Sequence, residues 1–92
     1  MKSSYIYILT NKYRTTFYVG MTSNLSKRLI EHYHGVASEF TKKYNAIDLI
    51  YFEEFTDINQ AISREKQLKN WHKDWKLNLI KEENPTLKTL KF

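Results

Sequence analysis

Two runs of β-branched and aromatic residues open this chain, and a short polar stretch separates them. The runs cover residues 5–10 and 16–21. Side chains of these types favour strands, and a connection of this length favours an antiparallel hairpin. Period-two alternation puts Tyr18 and Gly20 on one face of the second strand, and Tyr7 becomes their neighbour if the register allows. The chain therefore begins with a hairpin that carries tyrosines on one face.

The remaining chain shows helical patterns and one further strand. Residues 25–33 predict a helix with Ser23 or Asn24 as N-cap and Gly35 just past its end. Residues 49–55 alternate like a third strand that joins the hairpin, and the mixed segment before them predicts a loop with one helical turn. Two more helices are predicted, over residues 57–71 and 74–83. The expected core-facing residues of the first and last helices are Leu25, Leu29, Tyr33, Trp75, Leu79 and Ile80.

These elements predict one α+β domain over residues 1–92, with a three-stranded antiparallel sheet flanked by about three helices and a flexible tail over 85–92. The chain has no cysteine, which excludes a disulfide framework or a cysteine-bound zinc and fits a cytoplasmic location. Without an apolar run of about 18 residues, we expect no membrane association. A monomer is the default expectation.

The charge balance favours a polyanionic partner. Fifteen Lys and Arg residues against ten Asp and Glu residues give a net charge of +5. Positive charge favours phosphate neutralisation and counterion release, although many small basic proteins bind no nucleic acid.

Glu65 lies among core-facing positions of the second predicted helix, between Ala61 and Leu68. A carboxylate in such a place needs an ionic partner or a metal ion. A salt bridge to a neighbouring basic residue is the ordinary interpretation. The alternative is a Mg²⁺ site, because that ion keeps several waters and takes further oxygens from phosphate.

Arg28 and His32 are one helical turn apart, on a stripe beside the apolar one, and we expect both along the rim where the helix meets the sheet. Arg28 has an ordinary interpretation as a solvated helix residue. Arg28 could instead hold a phosphate with its planar fork, and His32 could donate to that phosphate or relay a proton. Tyr7 and Tyr18 are either sheet aromatics or phenols that accept a proton from water.

Together these residues resemble the GIY-YIG nuclease superfamily, which is named for two tripeptides on adjacent strands, here residues 5–7 and 18–20. The resemblance covers nearly the whole chain and includes residues 18–29, similar to the stretch that carries the family's catalytic arginine. Arg64-Glu65 is similar to the segment with its metal-binding glutamate. Two departures are Tyr5, in place of the first glycine, and Met21, where the excision-repair nuclease has a lysine. In size the chain most resembles short stand-alone bacterial members.

The resemblance implies a metal-dependent endonuclease that cuts one DNA strand, with RNA left open as a substrate. It implies catalytic roles for Tyr7, Tyr18, Arg28 and His32, and Glu65 as the ligand of Mg²⁺ or Mn²⁺. Which tyrosine activates water stays open, with Tyr18 favoured. The candidate nucleic-acid-binding residues are Gly20, Lys42, Lys43 and Asn78.

Two other classes of function stay open on the sequence. One is a nucleic-acid-binding module with little or no catalysis, which the positive charge favours. The other is a structural or protein-interaction domain whose tyrosines pack the sheet.

Overall fold

A three-stranded antiparallel sheet with strand order β2-β1-β3 forms the centre of the fold. The computed structural model describes residues 2–92. The strands are β1 (Ser4–Thr10), β2 (Phe17–Thr22) and β3 (Asp48–Phe55). The helices are α1 (Leu25–Tyr33), α2 (Glu39–Tyr44), α3 (Ile58–Asn70) and α4 (Lys73–Glu83). The predicted α+β class and sheet are confirmed, and the predicted single helical turn is α2.

The register of the hairpin brings the two tyrosines together. Tyr7 lies opposite Gly20, and Leu9 lies opposite Tyr18. Tyr7 and Tyr18 therefore share one face as diagonal neighbours, with ring centroids 6.4 Å apart. The pairing of β1 with β3 shifts register between Ile8 and Leu9.

Alternation along β1 divides the core between the two faces of the sheet. Ile6 and Ile8 pack with Leu68 of α3 and Ile80 of α4. The residues between and after them, Tyr7 and Leu9, pack in a second cluster with Leu25 of α1. A sheet covered on both faces explains why every residue of β1 except Tyr5 is buried.

Local signals set the ends of the helices that border the hairpin. Asn24, one of the two expected N-caps, accepts a hydrogen bond from the backbone N–H of Lys27 at 3.1 Å. Gly35 follows α1 with φ +75° and donates to the carbonyl of His32 at 3.0 Å, as expected for a glycine just past a helix end. Ser38 caps α2, and Asp57 caps α3.

Two residues that we expected in the core are exposed. Tyr33 packs edge-on against His34 at the surface, because the buried position in the last turn of α1 belongs to His32. Trp75 likewise packs edge-on against Trp71 and lies at the surface, while Ile80 is the buried residue of α4.

Residues 85–92 have no regular secondary structure, but they contact the sheet. The backbone N–H of Leu90 donates to the carbonyl of Leu49 at 2.7 Å. Arg14 donates to Asp48, to the carbonyl of Leu87 and to the Thr89 hydroxyl, at 2.5, 3.0 and 2.9 Å. This segment, for which the sequence predicts a flexible tail, is therefore tied to β3 and the hairpin turn. Among residues 2–92, no helix has the length and apolar character needed to cross a membrane.

Candidate active site

Three buried side chains, which start at a tyrosine of the hairpin, are joined to one another by hydrogen bonds. We call them the buried chain. The Tyr7 hydroxyl is 2.8 Å from His32 Nε2, and His32 Nδ1 is 2.9 Å from Thr41 Oγ1. All three residues are buried. The chain links β1, α1 and α2, so it fixes the positions of both helices relative to the hairpin.

The direction of the hydrogen bonds in this chain follows from its far end. The Thr41 hydroxyl is 3.3 Å from the carbonyl of Ser38, which can only accept. Thr41 Oγ1 therefore accepts from His32 Nδ1–H, which leaves Nε2 to accept the Tyr7 proton. Burial, followed by the positive charge of Arg28, lowers the pKa of His32 to about 4, so the imidazole is neutral at pH 7.

Tyr7 keeps its proton at neutral pH. Burial raises the pKa of the Tyr7 phenol well above its usual value, and the neighbouring Tyr18 adds to the effect. The positive charge of Arg28 partly opposes this rise in pKa, whereas the negative charge of Glu65 contributes to it. Arg28 of α1 and Glu65 of α3 thus both act electrostatically on one phenol of β1.

Three other residues that contact the buried chain or act on it electrostatically are partly accessible. Arg28 is 38% exposed, and its Nε donates to Glu31 Oε1 at 3.0 Å. Tyr18 is half-buried, and its ring lies edge-on to His32 with centroids 5.5 Å apart. Glu65 is 22% exposed. We call the set Tyr7, Tyr18, Arg28, His32 and Glu65 the hairpin site.

Glu65 is held in place by the residue before it. Arg64 makes a double hydrogen bond to Glu53 of β3, at 3.0 Å from Nε and 2.9 Å from Nη2. This fork fixes the rotation of α3 against the sheet. Glu65 itself pairs with Lys69 at 3.5 Å, one helical turn along. Since Lys69 is largely exposed, this pair is weak and leaves the carboxylate available to another cation.

Two of the predicted site residues are placed differently from expectation. His32 was expected along the rim, but it is buried and both ring nitrogens have hydrogen-bond partners within the protein, so it faces no phosphate. Gly20 was expected to admit close approach of backbone or ligand. The Tyr7 ring occupies the space next to Gly20 instead. A Cβ at position 20 would collide with Tyr7 Cζ and Oη.

The remaining predicted nucleic-acid-binding residues lie on two different helices. Lys42 and Lys43 are exposed on α2, which Thr41 ties to the hairpin site. Asn78 is exposed on α4, in a shallow groove with Trp71 and Trp75. Among residues 2–92, no hydrogen bond joins Asn78 to the hairpin site.

Thr41 and Phe40 contact members of the hairpin site, although the sequence did not single out either one. Phe40 stacks on Tyr18 with centroids 5.8 Å apart and planes inclined by 29°. Both residues come from the segment in which only a single helical turn was predicted. The one available signal was Ser38 three residues before Thr41, a cap that would have placed Thr41 in the first turn.

The residues of the hairpin site fit a single hydrated divalent cation and no larger metal cage. Within residues 2–92, no three His, Cys, Asp or Glu side chains are grouped as such a cage requires. Glu65 offers one carboxylate beside a weak, exposed partner. One carboxylate is enough for Mg²⁺ or Mn²⁺ when water and phosphate oxygens complete the coordination.

Comparison with known proteins identifies the family and agrees with the fold. Residues 3–78 match the model of the GIY-YIG catalytic domain. This chain belongs to the GIY-YIG family, as the tripeptides predicted, and nucleases of this family generally depend on a divalent metal ion.

Its relatives include stand-alone members of the family. The chain is 38% identical to the UPF0213 protein CPE1444 of Clostridium perfringens, over 88% of this chain and 91% of the relative. It is 34% identical to the UPF0213 protein SSP2268 of Staphylococcus saprophyticus, over 89% and 99%. The solution NMR structure of the UPF0213 protein BH0048 from Bacillus halodurans has the same fold. Its TM-score is 0.60 at 23% identity, with 91% of this chain and 88% of that chain covered.

Proposed function

We propose that this protein is a metal-dependent endonuclease that hydrolyses a phosphodiester bond of DNA. The family defines a nuclease-like domain, and therefore a nucleic acid as the class of substrate. The choice of DNA, the Mg²⁺ or Mn²⁺ ion and the roles of individual residues belong to the proposal.

One arrangement carries it. Tyr7 and Tyr18 share one face of the hairpin, and both rings contact His32 of α1. The same helix carries Arg28 one turn earlier. The charges of Arg28 and of Glu65, from α3, both act on the Tyr7 phenol. A phosphodiester site needs a cation that contacts the phosphate and an acidic group that holds a metal ion close to it. The hairpin site offers both next to a pair of tyrosines.

In this proposal Arg28 binds the scissile phosphate. Its Nε is engaged by Glu31, and the Nη nitrogens of the guanidinium fork remain to donate to phosphate oxygens. Because negative charge increases on those oxygens during the reaction, the contact stabilises the transition state more than the bound substrate.

Tyr18 is the phenol that meets the attacking water, since Tyr7 is fully buried and Tyr18 is not. The Tyr18 oxygen accepts a proton from the water and passes its own hydroxyl proton to solvent, as the water oxygen bonds to phosphorus in line with the bond that breaks. The phosphorus–O3′ bond breaks, the O3′ oxygen takes a proton from solvent, and the products are a 5′-phosphate and a 3′-hydroxyl. Tyr7 and His32 are positioning residues that hold the Tyr18 ring from below.

Glu65 is the proposed metal ligand. It would hold Mg²⁺ or Mn²⁺ through its carboxylate, with Lys69 displaced towards solvent. When bound, the ion offsets negative charge on the phosphate oxygens.

Nicking of supercoiled plasmid or branched DNA tests this mechanism. We expect Glu65→Gln to reduce the rate about 100-fold or more, because the loss of one charge-stabilising group at such a site has an effect of this size. Glu83→Gln, which changes an exposed glutamate on α4, is the matched control and should leave the rate unchanged. Cleavage that survives both a chelator and Glu65→Gln would contradict the mechanism.

The second candidate function is a nucleic-acid-binding module without catalysis. It is favoured by the +5 charge and by the exposed lysines of α2. Salt-sensitive DNA binding with no cleavage across several metals and substrates would support it. If Arg28→Ala left DNA binding unchanged and abolished cutting, this alternative would fail.

A further inference from the structure

Three aromatic rings form a continuous row that starts at the hairpin site and follows α2. Tyr18 stacks on Phe40, with centroids 5.8 Å apart. Phe40 in turn contacts Tyr44 at 4.8 Å, with planes inclined by 48°. We call Tyr18, Phe40 and Tyr44 the aromatic row. Its first ring is the phenol assigned above to the attacking water.

The outer two rings of the row are open to solvent. Phe40 is 39% exposed and Tyr44 is 44% exposed. They are four residues apart and so lie on one face of α2. The buried residue that anchors α2 is Thr41, through its hydrogen bond to His32. Because Thr41 anchors α2, the two large exposed rings are not needed for this purpose and are available to a ligand.

Positive charge accompanies the exposed rings. Lys42 and Lys43 are exposed on the same short helix. The Lys43 ammonium lies 5.3 Å from the centroid of the Tyr44 ring. Flat apolar rings with an ammonium group beside them match the chemistry of an unpaired strand, whose bases stack on rings while its phosphates contact cations. Paired bases are already stacked on each other inside a duplex and cannot use such rings without unpairing.

We propose that the aromatic row binds unpaired bases of single-stranded DNA next to the scissile phosphate. The substrate would then be DNA with a single-stranded segment at the cleavage point. This inference rests on the proposed nuclease function, because Tyr18 belongs to both the row and the hairpin site. It concerns substrate class, so binding can be tested apart from cleavage.

Fluorescence anisotropy with a chelator present measures binding without cutting. The probes are labelled oligo(dT) and a blunt duplex of the same length. We expect the parent protein to prefer the single strand. Phe40→Leu and Tyr44→Leu keep apolar bulk and remove the ring, and each should weaken oligo(dT) binding about 5- to 100-fold with little change for the duplex.

Tyr13→Leu is the matched control. Tyr13 is 76% exposed, and the Lys12 ammonium lies 5.8 Å from the centroid of its ring, as Lys43 does beside Tyr44. Tyr13 belongs to the hairpin turn and not to the row, so the control should bind oligo(dT) like the parent. Phe40→Trp retains an aromatic ring and should keep the preference for the single strand, even if Phe40→Leu proves poorly folded.

Three results would overturn the inference. They are equal affinity for duplex and single strand, an equal loss for both probes in the leucine variants, and tighter binding of oligo(U) than of oligo(dT). If one of these results is found while nicking still depends on Glu65, base binding by the aromatic row is rejected and the nuclease proposal is retained. If selective binding is present and no cleavage occurs, the stacking site stands and the nuclease proposal fails.

Discussion

His32 is a buried neutral base, and this makes the stability of the protein depend on pH. Its pKa is about 4 in the folded protein and 6.5 as an ordinary histidine. Between these values the unfolded chain binds the proton and the folded chain does not, so acid favours unfolding. We expect the free energy of unfolding to fall as pH drops from 6.5 towards 4, by up to about 3 kcal/mol from this group.

Urea unfolding at several pH values measures this effect. His32→Gln removes the titrating group, so the stability of this variant should fall less between pH 7 and pH 4 than that of the parent. His34→Gln, which changes an exposed neighbour, should keep the parent's pH dependence. A parent-like pH dependence in His32→Gln would mean that folding does not lower the pKa of His32.

Gly20 is expected to be intolerant of even a methyl group. A Cβ there would collide with the end of the Tyr7 ring, which His32 holds from the other side. We expect Gly20→Ala to lower the free energy of unfolding by about 1–3 kcal/mol, the usual cost of overpacking a core. In a Tyr7→Leu background, where the ring is absent, the same change should cost much less. Additive effects in this double-mutant cycle, measured by thermal unfolding, would contradict the close contact.

At the residue scale, the sequence predicted what depends on local period and missed what depends on distant partners. The closeness of Tyr7 and Tyr18 follows from alternation along two strands. The burial of His32 does not, because its partners Tyr7 and Thr41 come from β1 and α2. A helical period can place His32 beside the apolar stripe, but it cannot show that a phenol and a threonine hydroxyl satisfy both ring nitrogens.

At the element scale, the elements with a clear period were predicted to within a few residues. The predicted strands over 5–10, 16–21 and 49–55 compare with Ser4–Thr10, Phe17–Thr22 and Asp48–Phe55. α2 was harder, because a helix of six residues has little stability of its own. A cap from Ser38 and a tertiary hydrogen bond that Thr41 accepts from His32 hold it, and only the cap is visible in the sequence.

Arg14 connects three elements, and its loss should release the segment that follows α4. It donates to Asp48 at the start of β3 and to two residues of the segment 87–92. Its own φ is +57°, which glycine adopts without strain. Arg14→Gly should therefore keep the turn and remove the contacts.

Amide hydrogen exchange over residues 87–92 is the measurement. We expect exchange about 10-fold faster or more in Arg14→Gly, because the tail loses the contacts that limit its local opening. Lys12→Gly, an exposed change in the same turn, should leave exchange in the tail as in the parent. Unchanged exchange in Arg14→Gly would assign the docking of the tail to other contacts.

At the scale of the whole molecule, the positive charge should make DNA binding depend on salt. Each phosphate contact lowers the logarithm of the affinity by about 0.7 per tenfold increase in salt for single strands. Replacing both Lys42 and Lys43 by alanine should therefore reduce the slope by about 1.4 if each contacts one phosphate. Replacing Lys81 and Lys88 removes the same net charge elsewhere and should leave the slope nearly unchanged. Equal slopes in the two double variants would indicate that binding follows net charge alone.

The sequence predicted the order and type of the site residues, and the assembled fold determines which of them are accessible. The pattern marked Tyr7, Tyr18, Arg28, His32 and Glu65 in chain order. The sheet and helices then separate them into a buried pair, Tyr7 and His32, and three partly accessible residues, Tyr18, Arg28 and Glu65. That division arises from contacts between elements far apart in the chain, which spacing alone does not encode.

The segment that follows α4 and docks against the sheet also alters the exposed edge of the sheet. β3 is an edge strand, and two of its carbonyls already accept from outside the sheet: Leu49 from the Leu90 amide and Ile50 from the Asn84 side chain. Unsatisfied carbonyls on a free strand invite pairing with another chain. Because groups of the same molecule already bond to these two carbonyls, β3 offers fewer free acceptors to a second chain. Self-association into extended sheets is therefore less favoured.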